Sequence, residues 1–320
     1  MEQITLRQRY EIGVLKLQGY SITKIAEIIG KHKSTISREL KRNSDFRNGV
    51  YKAELAQKKC NERHKIKPKN IRFSQAVVGH VNAFILQDYS PEQIQGRSKD
   101  MGVNCVSKET IYKYIWDDKR KGGNLYLHLR SKGKKYTKRG ALKGTRGQIP
   151  GRIDIEQRPA IVELKERVGD LEIDLIIGKD HDGALLTVND RATGMLKMAK
   201  IESKEAKVVL AKLVEILADW KYFLQTITSD NGKEFASHEA IAKALNIDYY
   251  FAKPYQSWQR GANENLNGLI RQYFPKKSDF NLIKDEYVQE IENKLNNRPR
   301  KRFGFKTPNE VFSQKIKKCA

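Results

Sequence analysis

Apolar residues recur at helical spacing through the first 45 positions and switch to alternation after residue 170. Leu6, Tyr10, Val14 and Leu17 fall on one stripe of a helix over 5–17, which Gly19 ends. Ser21 caps a second helix whose buried stripe is Ile22, Ile25, Ala26 and Ile29, and Gly30 permits a sharp turn. A third helix follows over 34–42, in which only Ile36 and Leu40 are apolar. Three helices, a glycine turn and a thinly apolar last helix predict a helix-turn-helix. Such a helix touches its core by one edge and offers the rest to bases and phosphates. Lys33, Ser34, Thr35, Ser37, Arg38 and Arg42 are the candidate DNA contacts. The plainer alternative is a small bundle with a solvated basic face.

A weaker echo follows. Ser90-Pro91-Glu92-Gln93-Ile94 opens like Ser21-Ile22-Thr23-Lys24-Ile25, with Pro91 at the favoured first helical position. Lys108 to Ile115 echoes Lys33 to Leu40, which makes Lys108, Thr110 and Lys113 DNA-contact candidates in a second, divergent helix-turn-helix. The alternative is a helical spacer with Tyr112, Tyr114 and Trp116 as its core. Lys52 to Lys69 reads as a solvated helix that touches phosphate, or as a linker. Around residues 117–152, Lys132, Lys134, Lys135, Lys138, Arg139, Lys143 and Arg146 sit among Gly, Ser and Thr, as in a basic linker. The expected division is a helix-turn-helix domain over 1–46, a second helical DNA-binding region over 47–118, a linker over 119–160 and an α/β domain over 161–320.

In that last part Leu171, Ile173, Leu175 and Ile177 alternate along a strand. Strands over 184–188 and 196–201 follow, then a helix from Ser203 to about Trp220 with Val209, Leu213, Ile216 and Leu217 as its stripe. A fourth strand (223–228), a short helix (238–245), a fifth strand (247–251) and a helix over 262–273 complete the order β-β-β-α-β-α-β-α.

Charge separates the two halves. Residues 1–150 hold 33 basic and 13 acidic residues, a net of +20, while residues 151–320 hold 29 and 25, a net of +4. The first half therefore expects a polyanion, above all nucleic acid. At 39% hydrophobic the chain fills real cores, so wholesale disorder is excluded. Cys60, Cys105 and Cys319 are odd in number and far apart, which excludes a disulfide framework; Cys60 and His64 lack a second metal-binding pair. The N-terminus is charged from Glu2 without an apolar core, and no apolar run nears the ~18 residues of a membrane span, so a cytoplasmic protein without membrane contact is expected. No phosphate-binding glycine loop points to ATP.

Asp174 lies mid-strand on the face opposite the apolar one, Asp230 where the fourth strand ends, and Glu264 in the first turn of the 262–273 helix. Glu264, Asn267 and Arg271 share a face of that helix, away from Leu266, Leu269, Ile270 and Tyr273. Carboxylates converging from such elements repel one another, and divalent cations of the Mg²⁺ type relieve this. Spacing alone does not single out these three. Asp170 and Glu172 share the Asp174 face, and Asp182, Asp190 and Glu234 are near in sequence.

Three motifs now carry a resemblance: Thr35-Ile36-Ser37-Arg38-Glu39-Leu40, Asp230-Asn231-Gly232-Lys233-Glu234-Phe235, and the eighteen residues from Trp258 to Pro275. With Asn297-Arg298-Pro299 and Thr307-Pro308-Asn309-Glu310, they resemble the insertion-sequence-thirty family of bacterial DDE transposases over nearly the whole chain. The resemblance implies a multidomain protein: an all-α helix-turn-helix N-terminal region, then an α/β ribonuclease-H-like catalytic domain with a five-stranded mixed sheet. It implies a catalytic and metal-holding triad of Asp174, Asp230 and Glu264, with two Mg²⁺ or Mn²⁺ ions. Arg260, Asn263, Asn267 and Arg271 become supporting candidates, for scissile phosphates or for orienting Glu264; Arg191 and Lys233 are weaker ones. Leu171, Ile173 and Ser257 depart from the family's usual Trp, Gly and Pro without touching the triad. The implied partners are double-stranded DNA, as terminal inverted repeats and as target, and further copies of the chain in a homodimer or larger assembly. The implied location is the nucleoid of a bacterial cytoplasm. The competing reading is a DNA-binding regulator with an inactive transposase-derived core.

Overall fold

The computed structural model describes residues 3–66, 73–132, 149–253, 256 and 261–319. The chain forms two compact units, residues 1–70 and 71–320. In the first, α1 (Leu6–Leu17), α2 (Ile22–Ile29), α3 (Lys33–Asn43) and α4 (Ala53–Ile66) surround a core of Ile4, Ile12, Ile25, Ala26, Ile29, Ile36, Tyr51 and Ala56. Ser21 caps α2 by accepting from the N–H of Lys24, and Gly30 turns the chain in the left-handed region, as its sequence context predicts.

Two expectations fail in this unit. The apolar stripe of α1 is at the surface: Leu6, Tyr10, Val14 and Leu17 are all exposed, while Arg9 and Ile12 are buried. Helix α1 carries apolar residues on two faces, and a buried ion pair selects between them. Arg9 Nε donates to Glu39 Oε1 at 2.9 Å, and its Nη1 donates to Ile4 O and Gln57 Oε1 at 2.8 and 2.6 Å. Turning α1 to bury Leu6 and Val14 breaks all three bonds. The expected boundary at residue 46 also falls inside the unit, because α4 packs on α1 and α3.

The second unit begins with α5 (Gln75–Leu86), α6 (Pro91–Asp100) and α7 (Lys108–Arg120), then a short α8 (Ile161–Leu164). The remaining order is β1 (Asp170–Ile177), β2 (Ala184–Asp190), β3 (Leu196–Ile201), α9 (Ala206–Ile216), β4 (Thr226–Ser229), α10 (His238–Leu245), β5 (Asp248–Phe251), α11 (Gly261–Ile270), α12 (Asp285–Asn296) and α13 (Pro308–Cys319). The five-stranded sheet runs β3-β2-β1-β4-β5, with β1, β2 and β3 antiparallel and β1, β4 and β5 parallel. This mixed sheet is consistent with a ribonuclease-H-like fold. One face buries Leu171, Ile173 and Leu175 against α9 and α10; the other buries Ile176, Leu185 and Met198 against α11 and α12.

Helices α5 to α7 join this unit rather than standing apart. Gly96 lies so close to the Phe305 ring that a Cβ there would come within 2.3 Å of it. Tyr89 and Gln93 donate to the carbonyls of Asn297 and Pro299, and Arg97 pairs with Glu310. Ile111 and Ile115 are the fully buried residues of α7, whereas Tyr112 and Trp116 are 39% and 36% exposed. Buried Asp88 fastens the junction, accepting from His128 at 2.7 Å, Tyr273 at 2.9 Å and Lys294 at 2.5 Å.

Burial pushes the Asp88 carboxyl up, but the bonds from Lys294, His128 and Tyr273 outweigh it and hold it below its ordinary value. Its contribution is therefore complete above the ordinary carboxylate range and lost as pH falls through that lowered value. Asp88→Asn should cost about 2 kcal/mol at neutral pH, and its deficit in urea denaturation should shrink on acidification. An equal deficit at all pH values would remove Asp88 from this role.

Candidate active site

Alternation along β1 sends Glu172, Asp174 and Ile176 to the face on which α11 lies. Helix α11 buries Leu266, Leu269 and Ile270, and its polar residues are stitched along the strand. The Asn263 N–H donates to Glu172 Oε2 at 3.2 Å, and Asn263 Nδ2 donates to Ile173 O at 3.3 Å. Asn267 Nδ2 donates to Asp174 Oδ2 at 2.7 Å. Arg271 donates to the carbonyls of Ile177, Phe274 and Pro275 at 3.2–3.4 Å. Its guanidinium is thus committed to backbone, and burial lowers its pKa.

Asp230 ends β4, the parallel neighbour of β1. The Gly232 N–H donates to Asp230 Oδ1 at 3.0 Å, and Asn231 receives Arg152 at 2.7 Å while donating to Ala252 O, so the corner is fixed from both sides. Glu234 has its carboxyl pushed up, first by burial and then by the charges of Asp230 and Asp174, against Lys204. Asp174, Asp230 and Glu234 therefore form one electrostatic patch. Glu264 is exposed in the first turn of α11, three residues before Asn267 on the same face, where Cβ atoms lie about 5–6 Å apart. Among the described residues, no three Asp, Glu, His or Cys side chains are gathered closely enough to hold a metal ion. The donors nevertheless suit one. They are hard oxygens, and Asn267 Oδ1 is buried beside Asp174 with no hydrogen-bond partner.

In the sequence Arg191 is only a weaker candidate and Glu172 one of several nearby carboxylates, yet both are buried and pair at 2.5 Å. Arg191 also reaches Glu163 at 3.1 Å, and Arg158 joins Glu163 to Thr228 of β4. Opposite charges 19 residues apart gave no local signal; only the paired strands bring them together. Arg260 and Trp258 lie outside the described residues, as do Lys134 to Arg146 of the basic linker.

On α3, Lys33, Ser37, Arg38 and Arg42 are exposed, with Ser34 and Thr35 half-buried. Thr35, Arg38 and Arg42 line a groove of about 410 Å³ whose other wall includes Arg63 and His64 of α4. Both residues fall in the 52–69 stretch, read from the sequence as a phosphate-touching helix or a linker, but charge density alone does not say that this helix stands beside α3. On α7, Lys113 is exposed, Lys108 lies 3.6 Å from Glu92, and the Thr110 N–H donates to the capping Ser107. Gly102 repeats the left-handed turn of Gly30, both at φ +68°.

Comparison with known proteins agrees with this organisation. Residues 2–43 match a family described as a helix-turn-helix domain. The chain is 53% identical to the transposase for insertion sequence element IS4351 of Bacteroides fragilis, over 98% of this chain and 97% of that protein. It is 33% identical to the transposase for element IS1086 of Cupriavidus metallidurans, over 98% and 95%. The transposase InsI for element IS30A of Escherichia coli is 32% identical, over 98% and 84%. Among the described residues no helix is long and apolar enough to cross a membrane.

Because its pKa is raised, Glu234 binds a proton more tightly in the folded than in the unfolded chain. Stability should therefore decline as pH rises from the ordinary carboxylate value through the raised one. In metal-free buffer, Glu234→Gln should flatten that decline in urea midpoints between pH 4 and 7. Parallel curves for the two proteins would separate Glu234 from the patch.

Proposed function

The chain belongs to the insertion-sequence-thirty (IS30) family of transposases, and on that premise we propose that it binds the terminal inverted repeats of its element, hydrolyses phosphodiester bonds at the ends and joins the freed 3′-hydroxyl to target DNA. The observation that carries the catalytic part is the stitching of α11 to β1. It aligns the helix bearing Glu264 with Asp174, while the fixed turn after β4 holds Asp230 next door.

In this reading α3 enters the major groove, with Arg38 and its neighbours on base edges and phosphates. Lys108, Thr110 and Lys113 give α7 a second contact with the repeat. Asp174, Asp230 and Glu264 would hold two Mg²⁺ or Mn²⁺ ions, which when bound activate the attacking oxygen and stabilise the leaving one. Asn267 keeps the Asp174 carboxylate turned toward α11, Asn263 seats the first turn of that helix, and Arg271 fixes its far end. The basic first half neutralises DNA phosphate, so affinity falls steeply with salt. Two element ends must meet for joining, so the working species is a homodimer or larger assembly.

Asp174→Asn, Asp230→Asn and Glu264→Gln should each abolish Mg²⁺-dependent cleavage of labelled element ends while leaving end binding largely intact. Near-normal cleavage by any one of them would strike that residue from the triad. Arg38→Ala should weaken binding to the specific end by about 1–3 kcal/mol if it reads a base edge. An equal loss on random DNA would reduce it to a phosphate contact.

A further inference from the structure

Glu172 is a buried carboxylate to which the proposed reaction gives no part. It stands two residues from Asp174 on the same face of β1 and is only 1% exposed. Its Oε1 accepts from Arg191 at 2.5 Å, and its Oε2 accepts the backbone N–H of Asn263 at 3.2 Å. Arg191, 2% exposed, is held in turn by Glu163. The contacts therefore run from Glu163 through Arg191 and Glu172 to Asn263, whose chain neighbour is Glu264.

The first N–H groups of a helix have no intrahelical partners, and a carboxylate aimed at them satisfies both hydrogen bond and helix dipole. In α11 this matters more than usual. A cavity of about 410 Å³ lies against the same turn, bounded by Lys165, Glu172, Arg191, Gly261 and Ala262. Among the described residues, the Glu172 hydrogen bond holds the turn on that side across the cavity. A buried ion pair is also a poor source of stability, since apolar replacement is often neutral or favourable. Geometry is the better reason for this one: Arg191 takes one oxygen and fixes the carboxylate so that the other meets Asn263.

We infer that Glu172, oriented by Arg191, is the positioning residue that seats the first turn of α11 and thereby sets where Glu264 stands relative to Asp174. The inference rests on Glu264 acting in cleavage. Its test needs one readout that does not depend on cleavage.

In the full-length chain, Glu172→Met fills the volume without an acceptor, and Glu172→Gln keeps an acceptor without the charge. Amide hydrogen exchange in metal-free buffer reads the turn directly; Mg²⁺-dependent cleavage and end binding are followed alongside. Glu172→Met should raise exchange in the first turn of α11 while β2 and α12 stay protected. Its turnover should fall by about 10²-fold at unchanged end affinity, as expected when a reacting group is displaced by roughly 1 Å. Glu172→Gln should restore the protection and most of the turnover. Unchanged α11 exchange in Glu172→Met overturns the inference. So does a Glu172→Gln protein with normal protection but Met-like turnover, which would put Glu172 among the reacting groups. If Glu172→Met fails to fold, Glu172→Met combined with Arg191→Leu removes both buried charges and must show the same α11 exchange. If the wild-type chain cuts no DNA, the catalytic reading falls, and the exchange pattern still decides whether Glu172 seats the turn.

Discussion

The fit of one helix to one strand governs the second unit. Helix α11 approaches β1 with apolar residues on one side and amide or guanidinium groups on the other, and only one register satisfies both. Sliding α11 by a turn would strip buried Asn263 and half-buried Asn267 and Arg271 of their partners at Glu172, Ile173, Asp174 and Ile177. Lost partners for buried polar groups cost more than the bonds contribute when made, so the polar seam sets the register while the apolar contacts supply the adhesion. The sheet order follows the same logic. Central β1 has β4 as its parallel neighbour, which brings the Asp230 corner beside the seam.

Much of this arrangement was legible in the residues because it depends on short periods. Alternation from Leu171 to Ile177 showed both the strand and its polar face, and the 266, 269, 270 stripe showed which side of α11 is buried. What escaped was decided by contacts distant in sequence. Helix α1 offers two apolar faces, and its choice depends on Glu39, 30 residues away from Arg9. The docking of α5 to α7 depends on partners near residue 300, more than 200 positions away. Glu172 and Arg191 look like ordinary surface charges in the sequence; opposite charges announce a buried pair only once the strands carrying them are paired. The Asp174, Asp230 and Glu264 assignment came from the motif resemblance, since spacing offered other carboxylates equally well.

The charge asymmetry reads differently against the fold. The first half contains two kinds of helical structure, and among the described residues its cation excess lies in the first: residues 3–66 hold 15 basic and 6 acidic residues, whereas residues 75–120 hold six of each. One is a unit of its own, whose α3 and α4 line a common basic groove. The other, α5 to α7, repeats the left-handed glycine turn but commits several side chains within the second unit: Gln93 and Arg97 both face the C-terminal segment. These helices therefore also brace the C-terminal segment.

That double duty has a metrical consequence. Because Gly96 admits the Phe305 ring and Asp88 ties His128, Tyr273 and Lys294 together, the span from α7 to Asp174 is a property of packed side chains and not of a tether. A protein built this way carries a ruler. The distance from α7 to Asp174 is set in ångströms by the core, so altering the rigid junction would change that distance as well as weaken the fold.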